Sequence, residues 1–270
     1  MAKIIDGKKL ADAKLAELKN KIKRSDKTPG LAIVIVGDDP SSKLYVSLKK
    51  KAAKEVGIYF KLHTFPSNTT SDKIISTIKE LNHDKTIHGI VVQLPLPAGQ
   101  DTNAIIASLD PAKDVDGFQP DNINKYLAGR VNKMPLLISV IDQLIDSTEQ
   151  PLKNKRVALA TKIGVFSRAL MHYFSSQGAL VEITPPDNPV IGQSDFVISA
   201  LGLPQIITAN HIKRGAVVID VGITKIGRKT LGDVDQKSVA PIAGYLTPVP
   251  GGVGPMTVAM LLERTYNSSK

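Results

Sequence analysis

Residues 157–170 read VALATKIGVFSRAL: a short apolar run, a polar turn and the opening of an apolar helix. This order is typical of the strand–turn–helix that binds a nucleotide, where glycines let the backbone approach phosphate groups. Such turns usually carry two or three glycines, and this one has only Gly164. The stretch therefore predicts a parallel α/β unit and leaves open whether its turn still binds a cofactor.

Outward from this stretch, strand-like and helix-like patterns alternate along the chain. The runs predicted as strands are 31–37, 59–65, 89–94, 156–160, 179–183, 195–201 and 215–223. Helices are predicted to begin at Asp6, at Ser41 or Ser42, near 74, at 136, after the turn at 161–164 and near 256. The helix that begins at Ser41 or Ser42 is predicted to end at Gly57. This alternation indicates an α/β protein with mainly parallel sheets. A length of 270 residues accommodates two such lobes, with a boundary between 120 and 150.

The composition excludes several classes of protein. There is no cysteine, so disulfides, thiolate catalysis and thiolate metal sites are excluded. No apolar run approaches the roughly 20 residues that span a bilayer. The first residues carry no secretory signal pattern, so we expect a cytoplasmic protein that does not contact a membrane.

The net charge of +10 raises the question of nucleic-acid binding. Lysines are spread over most of the chain, aromatic residues make up only 4%, and no nucleic-acid motif is present. We therefore expect no nucleic-acid partner. A positive field can equally attract an acidic small ligand.

The first candidate for chemistry is the helix predicted over 41–57. Tyr45 and Lys49 are four residues apart, so they share one helix face and can act on one ligand. A desolvated lysine can work as an acid or base near neutral pH, because burial disfavours its charged form. Spacing alone is equally consistent with a solvated, lysine-rich helix on which Tyr45 only packs.

The second candidate is VVQLPLP at 91–97. Two prolines after a buried strand cannot continue a central ladder, so the chain leaves the sheet at its carboxyl end, where open α/β sheets bind ligands. Gln93 interrupts the apolar run, and a buried amide needs hydrogen-bond partners. It is either a core amide satisfied by backbone or a residue that faces a site.

A third candidate, DPAKDVDGF at 110–118, carries three carboxylates. Asp110 has the position of a turn or cap residue before a proline, and no histidine or further acid stands nearby to complete a metal shell. We therefore expect no metal site. A single carboxylate here could instead accept hydrogen bonds from an amidine-like ring edge.

The fourth candidate is the loop TPVPGGVGPMT at 247–257, which has three prolines and three glycines in eleven residues. Prolines preset the backbone and glycines allow a close approach of a ligand. Pro255 suits the first position of a helix, which leaves free amides at that helix terminus. This pattern favours a binding site over a purely structural loop.

Together these stretches resemble the bacterial methylene-tetrahydrofolate dehydrogenase/methenyl-tetrahydrofolate cyclohydrolase family. The matching pieces are YVSLKKKAAKEVGI, GIVVQLPLP, DPAKDVDGF, IKRGAVVIDVGI, GDV and TPVPGGVGPMT, which span nearly the whole chain. The resemblance implies two α/β lobes with a cleft between them, the second a Rossmann-like parallel sheet, and a homodimer. It also implies a catalytic folate-binding domain at 1–135, joined by a C-terminal helix within 246–270, and a dinucleotide-binding domain at 136–245.

The resemblance further implies roles for individual residues of the folate site. Lys49 matches the lysine essential for hydrolysis, Gln93 its hydrogen-bonded partner, Tyr45 the tyrosine that stacks on the aminobenzoyl ring, and Asp116 the carboxylate that binds the pterin edge; Asp114 is the preceding acid of that motif. The positions implied to line the pocket are Ser42, Val92, Leu94, Pro250, Gly251 and Gly254. In the family, methylene-tetrahydrofolate is oxidised by hydride transfer to NADP, less often NAD, and the methenyl product is hydrolysed to formyl-tetrahydrofolate. These reactions belong to one-carbon metabolism and serve purine biosynthesis.

The cofactor half departs from the family pattern. The family loop after the first strand of this lobe reads about G-R-S-x-x-V-G-x-P, and here Ala160 and Phe166 replace its glycines and Arg168 its proline. A phenylalanine there would put a bulky side chain where backbone should approach the pyrophosphate. The residues at cofactor-side positions are Thr161, Lys162, Gly164, Ala200, Gly202, Val221, Gly222, Ile223 and Thr257. Lys162 or Arg168 could still contact the phosphates.

The sequence thus predicts a hydrolase of methenyl-tetrahydrofolate coupled to NADP-dependent oxidation of methylene-tetrahydrofolate. The first alternative is a monofunctional cyclohydrolase whose altered 160–168 loop has lost the cofactor. A second alternative is a folate-binding protein with little turnover, which would not need the whole set of candidate catalytic residues.

Overall fold

A computed structural model describes residues 1–131, 134–227 and 229–270. Its strands are β1 (Lys3–Ile4), β2 (Gly30–Val36), β3 (Tyr59–Phe65), β4 (Gly89–Val92), β5 (Arg156–Thr161), β6 (Leu180–Ile183), β7 (Phe196–Ala200), β8 (Val217–Asp220), β9 (Thr224–Ile226), β10 (Lys229–Leu231) and β11 (Tyr245–Leu246). Its helices are α1 (Gly7–Lys23), α2 (Pro40–Val56), α3 (Ser71–His83), α4 (Thr102–Ala107), α5 (Pro120–Leu127), α6 (Leu136–Asp146), α7 (Val165–Ser176), α8 (Gln236–Val239) and α9 (Val253–Asn267). In these described ranges, no helix has the length and apolar character needed to cross a membrane.

The chain forms two compact units. The six-strand unit contains Met1–Leu10 and Leu137–Met256, and the three-strand unit contains Ala11–Leu136 and Thr257–Lys270. Residues 1–10 and 246–256 therefore group with the six-strand unit, whereas the sequence placed them with the first domain. Residues 1–10 group there because β1 pairs in parallel with β11 at the edge of the larger sheet.

The six-strand unit is built on a parallel sheet in the order β1-β11-β8-β7-β5-β6. Strands β7 and β8 are buried along most of their length, which explains why they read as continuous apolar runs rather than as alternating ones. The strand order reverses at β5, which lies between β6 and β7. Ligands of open α/β sheets bind outside the carboxyl ends of the strands at such a reversal. Thr161 and Ala200 are register partners at those ends, and the predicted Rossmann-like sheet is confirmed.

The three-strand unit repeats this logic on a smaller scale. Its parallel sheet has the order β3-β2-β4, and the central strand β2 is buried at every residue. Ile74 and Ile78 of α3 pack with β2 and β4 in one fully buried apolar cluster. The order reverses between β2 and β4, so the segments that follow these two strands come together at one edge of the sheet.

Each predicted strand and helix has a counterpart in the structure, and the first differences lie at helix ends. Helix α2 begins at Pro40 because the carboxylate of Asp39, and not Ser41 or Ser42, accepts the capping hydrogen bond, from the Ser42 amide at 2.7 Å. Its predicted end is confirmed, since Gly57 has φ +92°. Proline at the first helical position needs no amide partner, which makes Asp39–Pro40 a favourable start.

Two further differences involve proline. Helix α9 begins at Val253, so the expectation that Pro255 stands at the first helical position is wrong; it is the third residue, still within the turn whose amides have no intrahelical partner. Helix α5 was not predicted, because the pattern loosens after Pro120. The Gln119 side chain caps this helix by accepting from the Asp121 amide at 2.7 Å.

We predict that Gly30→Ala destabilises the three-strand unit. An added Cβ would lie 1.8 Å from the carbonyl oxygen of Thr86, so the backbone would have to shift. Overpacking of this kind costs about 1–3 kcal/mol, measured as the free energy of unfolding in urea. Gly192→Ala is the control, since its added Cβ would meet no atom within 4 Å. Equal stabilities of the two variants would contradict this account of Gly30.

Candidate active site

Helix α2 carries two of the predicted site residues on adjacent turns. Lys49 lies on its buried face with 7% of its surface exposed. Tyr45, one turn earlier, is half-buried, and burial raises the pKa of its hydroxyl. Of the two readings of this helix, the buried lysine contradicts a fully solvated face at position 49, although neighbouring Lys50 and Lys51 are exposed.

Gln93 is held opposite this lysine. The Nζ of Lys49 donates to Oε1 of Gln93 at 2.9 Å, and Nε2 of Gln93 donates to the carbonyl oxygen of Leu94 at 2.9 Å. The backbone N–H of Gln93 also donates to the carbonyl oxygen of Val34, in the central strand β2, at 2.8 Å. Both ends of the side-chain amide are thus used, so its oxygen points at the lysine. The half-buried Gln93 side chain contacts a predicted site residue and is not a core amide satisfied by backbone alone.

Asp116 supplies the charge that balances the lysine. Burial lowers the pKa of Lys49, and the nearby Asp116 carboxylate acts in the opposite direction. Burial raises the pKa of Asp116, with Lys49 and Arg264 opposing that change and Asp114 adding to it. Among the described residues, none donates a hydrogen bond to the Asp116 carboxylate, so its acceptor atoms are available to a ligand. A buried amine and a half-buried carboxyl, each with its pKa shifted towards the neutral form, are suited to proton transfer near neutral pH.

Asp114 builds the loop that presents Asp116. Its carboxylate is 1% exposed and accepts from the amides of Gly117 and Gln119, each at 2.9 Å. Nδ2 of Asn122 is a third donor at 3.0 Å. An added Cβ on Gly117, whose φ is +83°, would lie 2.9 Å from the Cα of Pro135. The first acid of the motif is therefore a loop anchor, and the second is left for the site.

Arg264 was missed by sequence reasoning. This residue of α9 donates through Nη2 to the carbonyl oxygen of Met134 at 2.7 Å and through Nη1 to that of Val115 at 3.3 Å. Its charge also acts on the pKa of Asp116. No local pattern marks it, because it is almost 150 residues away from the motif that it supports.

The other residues predicted to line the folate pocket divide between the two units. Ser42 is 4% exposed, and its Oγ has no hydrogen-bond partner among the described residues. Val92 is buried at the end of β4, whereas Leu94 is 47% exposed just beyond it. The members in the six-strand unit are Pro250, Gly251 and Gly254. In that unit the carbonyl of Gly251 accepts from the Lys8 amide at 2.8 Å.

The turn between β5 and α7 contains the first predicted cofactor residues. Thr161 is 7% exposed, and its Oγ1 has no hydrogen-bond partner among the described residues. The four residues that follow, 162–165, are all exposed, including Lys162 and Gly164. Phe166, expected to obstruct the turn, is the second residue of α7 and is half-buried. An accessible helix N-terminus, a lysine and an unpaired buried hydroxyl fit a dinucleotide phosphate.

The remaining cofactor-side residues follow β7 and β8. Ala200 ends β7, and Gly202, with φ +70°, lies exposed in the loop beyond it. The three residues after β8 are Val221, Gly222 and Ile223, of which Gly222 is buried and the other two are half-buried. Thr257 is half-buried and belongs to the three-strand unit.

Across residues 1–131, 134–227 and 229–270, no group of three or more histidine, aspartate or glutamate side chains is arranged to hold a metal ion.

Comparison with known proteins identifies relatives over the full length of the chain. Residues 5–116 match the family model described as tetrahydrofolate dehydrogenase/cyclohydrolase, catalytic domain, and residues 138–270 match its NAD(P)-binding domain. The Bifunctional protein FolD of Halalkalibacterium halodurans is 40% identical over 100% of this chain and 99% of its own.

Two solved structures are also similar over almost their whole length. The bifunctional methylenetetrahydrofolate dehydrogenase/cyclohydrolase FolD of Campylobacter jejuni has a TM-score of 0.91 and 35% identity, covering 100% of this chain and 99% of that one. The Trypanosoma brucei enzyme, complexed with NADP cofactor and inhibitor, has a TM-score of 0.92 and 32% identity, covering 99% and 97%.

We predict that Asp116→Asn lowers the pKa of Lys49 further. The Asp116 carboxylate favours the charged ammonium, so removing its charge leaves burial unopposed. The measurement is an NMR titration of the lysine ε-carbon resonances, with Asp121→Asn, at an exposed position of α5, as the control. A Lys49 pKa that is unchanged or higher in Asp116→Asn would contradict the coupling.

Proposed function

The chain belongs to the tetrahydrofolate dehydrogenase/cyclohydrolase family, and from this membership we propose that it catalyses two consecutive reactions of folate one-carbon metabolism. In the first, methylene-tetrahydrofolate loses a hydride to NADP and becomes methenyl-tetrahydrofolate. In the second, water hydrolyses methenyl-tetrahydrofolate to formyl-tetrahydrofolate. The observation that carries the proposal is the buried Lys49 hydrogen-bonded to Gln93 and electrostatically coupled to Asp116.

We assign the proton transfer of hydrolysis to Lys49. Water adds to the carbon of the cationic methenyl bridge, one carbon–nitrogen bond of that bridge breaks, and one proton is released overall. A neutral amine can take a proton from the attacking water, and burial supplies such an amine by lowering the pKa of Lys49. The Gln93 oxygen, 2.9 Å away, fixes the position of Nζ.

We assign folate binding to the groups around this lysine. The Asp116 carboxylate, which accepts no hydrogen bond from the described residues, suits the donor edge of the pterin ring. Tyr45, on the neighbouring turn of α2, suits stacking on the aminobenzoyl ring, and the unpaired Oγ of Ser42 suits a polar atom of the substrate. The residues proposed to complete the pocket are Val92, Leu94, Pro250, Gly251 and Gly254.

The cofactor of the proposed oxidation is NADP. When bound, it accepts the hydride that leaves the methylene carbon. We propose that Lys162, the Oγ1 of Thr161 and the first amides of α7 hold its phosphates, and that Gly164 keeps the turn open. The remaining contacts are proposed for Ala200, Gly202, Val221, Gly222, Ile223 and Thr257. A monofunctional cyclohydrolase is the alternative, favoured by the glycine-poor turn.

We further propose the biological setting of these reactions. The folate site is assigned to residues 1–135 with the C-terminal helix of 246–270, and the cofactor site to residues 136–245. We propose a homodimer, supported by the exposed edge strand β3 with its exposed Tyr59 and Leu62. We propose cytoplasmic action and a supply of formyl groups to purine biosynthesis, since reduced folates and NADP are metabolites of the cell interior.

Replacing the buried amine tests the hydrolytic assignment. We predict that Lys49→Met lowers the hydrolysis rate of methenyl-tetrahydrofolate about 10²–10⁴-fold, the range contributed by a general base. Methionine keeps the buried aliphatic stem, so circular dichroism should show an intact fold. Lys50→Ala, at the exposed neighbour, is the matched control and should hydrolyse at the wild-type rate. Full hydrolysis by Lys49→Met would remove Lys49 from its proposed role.

A second experiment tests the altered turn. We predict that the wild-type protein reduces NADP with methylene-tetrahydrofolate, and that Lys162→Ala raises the KM for NADP roughly 10- to 100-fold through loss of a charge-assisted hydrogen bond. The control is Lys153→Ala, which removes an exposed lysine of the same unit. Hydrolysis without any reduction of NADP or NAD would favour the monofunctional alternative.

A further inference from the structure

Two buried carboxylates of the six-strand unit have no part in the proposed chemistry. Asp220 is the last residue of β8 and is 1% exposed, and Asp233, two residues beyond β10, is 0% exposed. Burial, with the neighbouring Asp233 charge adding to it, raises the pKa of Asp220 to about 7. Burying two acids side by side costs free energy, so their position requires a physical reason.

Asp233 fixes the loop that follows β7. Its Oδ2 accepts from the amide of Leu201 at 2.6 Å and from Oγ of Ser199 at 2.8 Å. Its Oδ1 accepts from the amide of Leu203 at 2.9 Å. The two amides flank Gly202, so the backbone on both sides of that proposed cofactor residue is tied to one carboxylate.

Asp220 fixes the loop that follows β8. Its Oδ1 accepts from the amides of Gly222 at 3.0 Å and Asp233 at 3.1 Å, and its Oδ2 accepts from that of Val234 at 2.9 Å. Its own amide donates to Oγ1 of Thr247 at 2.8 Å. Asp220 therefore holds both the proposed cofactor residue Gly222 and the backbone of Asp233.

Two glycines make room for the carboxylates. A Cβ added to Gly222 would lie 2.1 Å from the carboxyl carbon of Asp233, and one added to Gly232 would lie 1.9 Å from Oδ2 of Asp220. The Asp233 carboxylate thus fills the space that a side chain at position 222 would need, and the Asp220 carboxylate fills the space that one at position 232 would need. We call this arrangement the Asp220–Asp233 clamp.

The donors around the clamp explain why both residues are acids. An ionised carboxylate only accepts hydrogen bonds, and every partner of these two side chains among the described residues is an N–H or O–H group. An asparagine would turn one oxygen into a donor facing another donor. Hydrogen bonds to charged acceptors are also the stronger ones, which favours a rigid loop.

We propose that Asp220 and Asp233 are positioning residues of the dehydrogenase reaction, which fix the loops after β7 and β8 in the shape that NADP requires. The inference rests on the proposed function, since it assigns these loops to the cofactor. Neither acid has to touch the cofactor. Hydride transfer depends on the placement of the nicotinamide to within about 1 Å, so a fixed loop backbone serves this reaction and not the hydrolysis.

Asp233→Asn tests the clamp directly. We expect the dissociation constant of NADP, measured by calorimetry, and its KM to rise roughly 10- to 100-fold. The amides of Leu201 and Leu203 should exchange with deuterium faster. Hydrolysis of added methenyl-tetrahydrofolate, assayed without cofactor, should stay within about twofold of wild type, whereas general misfolding would lower both activities together and leave the KM for NADP unchanged.

The matched control is Asp235→Asn, two residues along the chain. Asp235 caps the short helix α8 by accepting from the Lys237 amide at 3.3 Å. Among the described residues, its carboxylate contacts the loop after β7 only through Nε2 of Gln205 at 3.4 Å, and its backbone amide, which the substitution leaves in place, donates to the carbonyl oxygen of Ile207. Its NADP affinity and loop exchange should equal those of wild type. If Asp233→Asn does not fold, Ser199→Ala serves instead, because it removes only the hydroxyl donor to Asp233.

The outcomes separate the clamp from the proposed function. Wild-type affinity for NADP in Asp233→Asn or in Ser199→Ala, despite faster exchange at Leu201 and Leu203, would overturn the clamp and leave the dehydrogenase intact. A wild-type protein that hydrolyses its substrate but neither binds nor reduces NADP would refute the oxidative half of the proposed function. The role of the clamp towards a cofactor would then fall with it, even if exchange at the loop amides still depended on Asp233.

Discussion

The buried amine of Lys49 is the constraint on which the folate half of the molecule depends. An amine that is 7% exposed loses most of its hydration, and this loss must be offset by nearby acceptors and negative charge. Gln93 supplies the acceptor and Asp116 the charge. The capped start of α2 orders the helix that carries the amine. The Asp114 loop and the distant Arg264 hold the backbone around Asp116.

In the six-strand unit, too, buried charged groups are satisfied by nearby partners, but their charge is negative. There the buried groups are carboxylates, and backbone amides satisfy them at the carboxyl ends of β7 and β8. In both units the buried group bonds to a residue that directly follows a parallel strand: Lys49 donates to Gln93 after β4, and Asp233 accepts from Leu201 after β7. Such strand ends have many unpaired backbone groups and few neighbouring strands, so buried acids and amides can set loop shapes that strand pairing alone cannot.

Sequence reasoning found what depends on local pattern and missed what depends on distant contacts. The buried strands β2, β5, β7 and β8 follow from continuous apolar runs, and the pair on α2 follows from a spacing of four residues. For Gln93 the pattern was consistent with two environments, because a single polar residue does not reveal its partner. Arg264 gave no signal, and Asp233 entered only as part of the GDV piece of the resemblance, with no role, since each acts on residues about 30 to 150 positions away. Helix α5 was missed because Pro120 resembles a break, although proline also starts helices.

The glycine-poor turn within 157–170 keeps an ordinary backbone. Gly164 has φ 177°, an extended conformation open to any residue, and a Cβ there would meet no atom within 4 Å. Ala160 lies inside β5 and is fully buried, so its methyl group belongs to the core. The replaced glycines therefore leave a normal strand–turn–helix. What changes is the source of phosphate recognition, which shifts from close backbone approach towards the side chains of Thr161 and Lys162 under the function proposed for this turn.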